Sequence, residues 1–317
     1  MFLFPTILTA LAPPFLLILL GHALKRLRVL HPAHVPILNG LVINVTLPAL
    51  VVLGLLRAPA LSPHLALLPP ALIAAECAAL ALTSGAGKLL RLPPPLMGAI
   101  LMTGVFGNTG FIGYPLTLAL VPHQFPATII LDQFGMTVPM YLAAAVLGAK
   151  LGGAGGGKLA IGRFLRSPIF LSALLGLILR QISVPPPLAA LPILRETGAA
   201  LLKCLEYLGQ GTTPLVLLAL GVALRPGAVR GRTAPLLLAC GCKLLVCPIV
   251  FWEVCRLLGV GGEVRMDGVL EAAMPTAVMA SVLAGQNDLE GDFAVGVVFV
   301  STVLSALTVP LLLSVLR

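Results

Sequence analysis

Long apolar runs separated by short polar connections fill almost the whole of this 317-residue chain. A membrane-crossing helix needs about 20 largely apolar residues. Ten runs meet that need, at about 3–24, 35–56, 65–87, 95–121, 126–149, 165–184, 199–223, 234–258, 267–287 and 292–316. The pattern predicts an all-α membrane protein with ten transmembrane helices.

Some of these runs are interrupted. In the fourth, GVFGNTGFIGYP (104–115) sets Gly104, Gly107, Gly110 and Gly113 at every third position, with Asn108 and Thr109 between them and Pro115 at the end. The ninth carries Met274-Pro275-Thr276. The second and seventh carry Pro48 and Pro214, with Asn44, Gln210 and Thr213 nearby. Backbone polar groups in hydrocarbon must be satisfied inside the protein, so broken helices are tolerated only where protein or a water-filled cavity covers them. Four broken spans are therefore expected, 2, 4, 7 and 9, the fourth breaking at Gly107–Gly110 and again at Gly113–Pro115.

The interruptions recur in order along the two halves. LLILLGHALKR (16–26) aligns with LSALLGLILRQ (171–181), and TLPALVVL (46–53) with TTPLVLLA (212–219). GNTGF (107–111) aligns with MPTAV (274–278), placing Thr109 on Thr276, and TVP occurs at 137–139 and at 308–310. Five spans per half reverse the orientation of the second, which is the inverted repeat of many secondary transporters. The expected division is 1–150 as the first five-helix repeat, 151–163 as a Gly-rich cytoplasmic linker, and 164–317 as the second, inverted repeat.

Composition agrees with the hydropathy pattern. The chain is 59% hydrophobic and 10% charged, where a soluble domain has about 25% charged residues. The formal net charge of +9 does not imply a nucleic-acid partner, because the basic residues are spread over short loops. Connections after the first, third, fifth and seventh spans hold 12 of the 20 Lys and Arg residues. Cytoplasmic loops are enriched in these residues, so both termini are expected outside. The first run lacks a basic segment before it and reads as a retained span, not a signal peptide.

Ionisable residues inside spans are functional candidates. Asp132 and Gln133 open the fifth span, and Glu76 lies in the third, with Lys243 as its counterpart in the eighth. These are the candidates for a coupling ion or proton, with a buried Glu76–Lys243 pair left open. Lys203 and Glu206, three residues apart, read as an intrahelical pair. The six cysteines fall in apolar segments and show no zinc or redox spacing. GGAGGGKLAIGR (152–163) approaches a phosphate-binding loop but has Leu159 where Ser or Thr is required. QNDLEGDF (286–293) lacks the spacing of a calcium loop and reads as a solvated turn. No resident cofactor or metal is expected. The carboxylates do not form the paired Asp, Ser–His or HExxH sets of an intramembrane hydrolase, so an enzyme is not expected.

GNTGFIGYP resembles the fourth-span motif of the auxin efflux carrier family, including its bacterial members. Asn44-x-x-Leu47-Pro48-Ala49 resembles the family's second-span motif. Met274-Pro275-x-Ala277, with Leu283-Ala284 and Asp288, resembles its ninth. The resemblance implies ten spans with two crossed broken helices, in spans 4 and 9. Spans 1, 2, 6 and 7 would form a scaffold and the rest a moving transport part, an architecture shared with bile-acid/sodium symporters. It further implies alternating-access carriage of small organic anions, carboxylates such as malate or malonate or auxin-like acids, in a cell inner membrane. Substrate would be held by Gly107, Asn108, Thr109, Gly110, Pro275 and Thr276, with Asn44, Pro48, Thr213 and Pro214 lining the scaffold side. The ninth span has fewer polar side chains around its break than the fourth. H⁺ or Na⁺ are the candidate coupling ions, the lipid bilayer is the surrounding partner, and a homodimer stays open. A sodium-coupled symporter of the bile-acid type is the alternative, followed by a channel or membrane sensor.

Overall fold

A computed structural model describes residues 4–58, 63–152, 162, 165–182, 191–223 and 231–316. Most of the Gly-rich linker lies outside the described residues. Within them the chain is helical, with no strand and a single isolated antiparallel bridge between Gly107 and Thr276. Among the described residues, five helices are long and apolar enough to cross a membrane: Pro32–Leu56, Leu65–Leu89, Pro122–Leu151, Thr233–Leu257 and Gly291–Val315. Shorter apolar helices cover Pro94–Thr103, Thr109–Leu120 and Pro168–Gln181. Further helices run over Phe4–Arg26, Pro192–Gln210, Thr212–Ala223, Gly262–Ala272 and Val278–Gln286.

The chain divides into two compact units. One contains Leu16–Ala60 and Leu165–Ala223, which take in the end of the first apolar run and all of the second, sixth and seventh. In it, the second half of Pro32–Leu56 packs against Pro168–Gln181 and Pro192–Gln210. Glycines permit the close approach: a Cβ on Gly176 would stand 3.0 Å from Leu55 Cβ, and one on Gly209 3.3 Å from Leu50 Cα. Small residues serve this purpose between helices in lipid, where apolar burial gives no driving force. Ser167 caps Pro168–Gln181, its hydroxyl accepting from the Phe170 N–H at 3.2 Å, with Pro168 at the first helical position where no N–H is needed. Arg57, Lys203 and Glu206 form an exposed ion-pair group, each cation 3.4 Å from Glu206 Oε2.

The other unit contains Met1–Phe15, Leu61–Phe164 and Leu224–Arg317. Here Leu65–Leu89 packs on the later part of Thr233–Leu257 and on the middle of Pro122–Leu151. Pro94–Thr103 packs against Gly291–Val315 and Val278–Gln286. QNDLEGDF is less solvated than expected: Asn287 and Leu289 are buried, with Asn287 Nδ2 donating to the Leu283 carbonyl at 2.8 Å and Glu290 paired with Arg232.

The prolines explain where the helices widen. Helical turns at Val42–Thr46, Thr109–Gly113, Leu131–Thr137 and Cys242–Val246 are of the wide π type. Each is followed two residues later by a proline: Pro48, Pro115, Pro139 and Pro248. A proline ring collides with the carbonyl four residues back and has no N–H to give it. One extra residue in the preceding turn relieves the collision without ending the helix. This corrects two expectations. The second span does not break at Pro48 but continues as Pro32–Leu56, and the fourth does not break again at Gly113–Pro115. In the seventh span the helix is interrupted only at Gly211, and Pro214 falls in the first turn of Thr212–Ala223, where proline is tolerated. Among the described residues, the apolar runs that unwind midway are the fourth, at 104–108, and the ninth, at 273–277.

Candidate functional site: the meeting of two unwound segments

Helix Pro94–Thr103 ends at Gly104, and the chain resumes helical form at Thr109. Gly262–Ala272 ends at Ala273, and Val278–Gln286 begins five residues later. The two gaps satisfy each other's backbone. Asn108 N–H donates to the Pro275 carbonyl at 2.7 Å, and Ala277 N–H to the Phe106 carbonyl at 2.9 Å. A further bond runs from the Ser301 side, whose Oγ accepts from Thr276 N–H at 3.1 Å. Pairing of this kind is what lets irregular backbone persist at membrane depth.

Thr276 faces Gly107 across the joint. Gly107 leaves room for Lys243: a Cβ would stand 2.9 Å from Lys243 Cε and 3.1 Å from its Nζ.

Both helix ends that present carbonyls to the gap are capped by side chains. Thr276 Oγ1 donates to the Thr103 carbonyl at 2.7 Å, and Lys243 Nζ to the Ala272 carbonyl at 2.6 Å. Lys243 is fully buried, and a cation suits the negative pole of a helix C-terminus. The helices Thr109–Leu120 and Val278–Gln286 point their positive N-terminal poles at the same gap. Asn108 adds a buried amide whose Nδ2 has no hydrogen-bond partner.

Asp132 stands next to this gap in the π turn of Pro122–Leu151. Its carboxylate accepts from Thr109 Oγ1, from Tyr114 Oη at 2.8 Å, from Gln133 Nε2 at 2.7 Å and from Thr137 Oγ1 at 3.3 Å. Four donors match the four acceptor positions of a carboxylate. Thr109, Gly110, Asp132 and Gln133 are thus brought together, as Gly107 and Asn108 are with Pro275 and Thr276. Glu76 is buried, and neither of its oxygens has a hydrogen-bond partner. It makes no ion pair with Lys243 among the described residues.

Asn44, Pro48, Thr213 and Pro214 belong to the other unit. Asn44 and Pro48 line an open groove of about 390 Å³ there, with Val52, Ser172 and Leu175 among its walls. Asn44 Nδ2 donates to the Gly40 carbonyl at 2.7 Å. Thr213 and Pro214 do not line that groove.

The sequence reading missed two carboxylates, Asp267 and Glu271, both fully buried in the helix before the second gap. Their spacing of four residues, which puts them on one helix face, was the available signal. They add two buried carboxylates to the ninth span ahead of its break. Among the described residues no three His, Cys, Asp or Glu side chains are grouped to hold a metal ion.

The model of a family described as "Membrane transport protein" matches residues 6–149 and 157–313. The chain belongs to that family. This bears out the resemblance drawn from the fourth-span, second-span and ninth-span motifs. The transporter is 29% identical over 300 residues to an "Uncharacterized transporter" of Methanothermobacter thermautotrophicus, covering 93% of each chain. It is 26% identical over 299 residues to an "Uncharacterized transporter" of Methanocaldococcus jannaschii, covering 93% of this chain and 94% of that one. It is 27% identical over 224 residues to a "Putative malonate transporter" of Rhizobium meliloti, covering 68% and 65%. The family and these relatives are membrane transporters, not enzymes.

Proposed function

We propose that this transporter carries small dicarboxylates of the malonate or malate type across a cell inner membrane by alternating access. In this reading the chain forms ten spans in two inverted five-helix repeats, 1–150 and 164–317, with both termini outside. One observation carries the choice of an anion. The two carbonyl-bearing helix ends at the gap are capped by Thr276 and Lys243, whereas two helix N-termini, the unpartnered Asn108 amide and the Lys243 charge are all electropositive. Oriented half-helix N-termini are the recurring device for anionic substrate groups in transporters. The name of the Rhizobium relative agrees with a carboxylate cargo.

Asn108 and Thr109 would bond the substrate, with Gly107, Gly110, Pro275 and Thr276 shaping the gap. Asn44, Pro48, Thr213 and Pro214 would serve from the scaffold unit. Asp132, Gln133 and Glu76 are candidates for handling a coupling proton or Na⁺.

The test is malonate and malate flux into proteoliposomes, with and without sodium. Asn108→Ala should fold as the parent does and lose saturable flux. Wild-type flux in that variant would sink the site assignment.

A further inference from the structure

A ladder of carboxylates leads from the protein surface to the gap along one face of Gly262–Ala272. Glu263, Asp267 and Glu271 follow each other at four-residue intervals, one helical turn apart. Glu263 is exposed and its Oε2 lies 2.6 Å from His123 Nε2. Asp267 and Glu271 are 1% and 0% exposed. Two hydroxyls from facing helices tie the buried pair together. Thr117 Oγ1 lies 3.1 Å from Asp267 Oδ1 and 2.9 Å from Glu271 Oε1. Thr128 Oγ1 lies 2.9 Å from Asp267 Oδ2 and 3.3 Å from Thr117 Oγ1.

The hydrogens do not add up if both carboxylates are bare. A threonine hydroxyl has one hydrogen. The Thr128 hydrogen serves Asp267, and the Thr117 hydrogen can serve either Asp267 or Glu271, leaving one close oxygen pair with no hydrogen between. Glu271 Oε2 has no hydrogen-bond partner and is fully buried. Like charges four residues apart on a helix also repel. One bound proton supplies the missing hydrogen and removes the like-charge repulsion.

We infer that Asp267, Thr117 and Glu271 hold and relay a proton between the His123–Glu263 surface pair and the gap. In the relay step the Asp267 Oδ1–H bond breaks as a new O–H bond forms on Thr117 Oγ1. The original Thr117 O–H bond breaks as one forms on Glu271 Oε1. The charge passes from one carboxylate to the other and no other reactant is consumed. Rotation of the Thr117 hydroxyl resets the chain.

The charged and titratable groups facing the relay come from several elements. His123 lies within electrostatic reach of Asp267, and Asp132, Lys243 and Tyr114 lie within that of Glu271. Glu271 also packs on Gly113, where a Cβ would stand 2.7 Å from its Cδ. Gly113 shares its π turn with Thr109, the donor to Asp132. Placing an anion beside these carboxylates is favourable only once a proton has arrived, which couples cargo to proton. That coupling rests on the carrier reading above; the proton site itself does not.

The test is infrared difference spectroscopy of the full chain in lipid, titrated from acid to alkaline medium. The carbonyl stretch of a protonated carboxyl group should be present and should be lost on alkalinisation. Asp267→Asn and Glu271→Gln should each remove the part of that band due to the pair. Thr117→Val should retain the band and slow its hydrogen–deuterium exchange. An unchanged band in Asp267→Asn together with unchanged exchange in Thr117→Val overturns the relay. So does disappearance of the band on adding sodium at fixed pH, which would assign the site to a metal cation. Malonate flux is measured on the same samples. Absent flux with the band intact removes the malonate reading and leaves the relay; intact flux without the band does the reverse.

Discussion

Thr276 lies opposite Gly107 in the one antiparallel bridge among the described residues, and each clears or caps a different neighbour of the joint. Gly107 gives up its side chain so that the Lys243 ammonium can reach past it to the Ala272 carbonyl. Thr276 keeps a hydroxyl so that the facing helix end at Thr103 is not left bare. The unwound segments are thereby held by two backbone bonds and two side-chain caps.

Gly107→Ala is expected to destabilise the protein. The new methyl would lie 2.9 Å from Lys243 Cε and 3.3 Å from Met136 Cε, and overpacking a tight interior typically costs about 1–3 kcal/mol. Thermal unfolding in detergent should show a lower midpoint. A second change, Met136→Ala, should recover part of the loss by opening the other wall.

Thr276→Val keeps the shape and removes the hydroxyl, leaving the buried Thr103 carbonyl without its side-chain donor. An unsatisfied buried group costs about 1–3 kcal/mol. Thr276→Ser should stay close to wild type in the same melting experiment. If Val and Ser melt alike, the cap contributes nothing.

Much of this was legible in the residues, and the failures share a cause. Hydropathy located the apolar segments because lipid selects for them directly. The gaps in spans 4 and 9 were legible because glycine or proline coincides there with polar side chains. The same coincidence misled at Pro48, where a π turn absorbs the proline and the helix goes on. Local sequence records that the proline must be accommodated, not whether widening or breaking does so. Asp267 and Glu271 escaped notice because their partners, Thr117 and Thr128, lie about 140 to 150 residues away in the chain.

Pro248 offers a test of the π turns. In Pro248→Ala the collision that favours the wide turn at Cys242–Val246 is gone, and a regular α-helix becomes accessible. Loss of one residue from the turn rotates what precedes it by about 100°, which carries Lys243 away from Ala272. Malonate flux should fall sharply while the protein stays folded. Pro310 stands inside Gly291–Val315 with no π turn before it. Pro310→Ala should therefore change flux far less than Pro248→Ala, and equal losses would mean that the wide turn is not what positions Lys243.

Asp132 permits a graded test, because its four donors differ in geometry. Tyr114 Oη at 2.8 Å and Gln133 Nε2 at 2.7 Å are close, whereas Thr137 Oγ1 at 3.3 Å is marginal. Tyr114 is fully buried and packs edge-on against Phe125, its ring centroid 5.2 Å away, so Tyr114→Phe removes the hydroxyl while the ring stays in place. A hydrogen bond to a charged group is worth about 1.5–3 kcal/mol. Tyr114→Phe should reduce flux about tenfold or more, where 1.4 kcal/mol corresponds to a factor of ten. Thr137→Val should have a small effect. Asp132→Asn should be worse than either, since its amide sets a donor against other donors and cannot accept from all four. Purified variants compared at equal reconstitution density would rank these effects. A Thr137→Val loss as large as that of Tyr114→Phe would show that the carboxylate is not held in the geometry described.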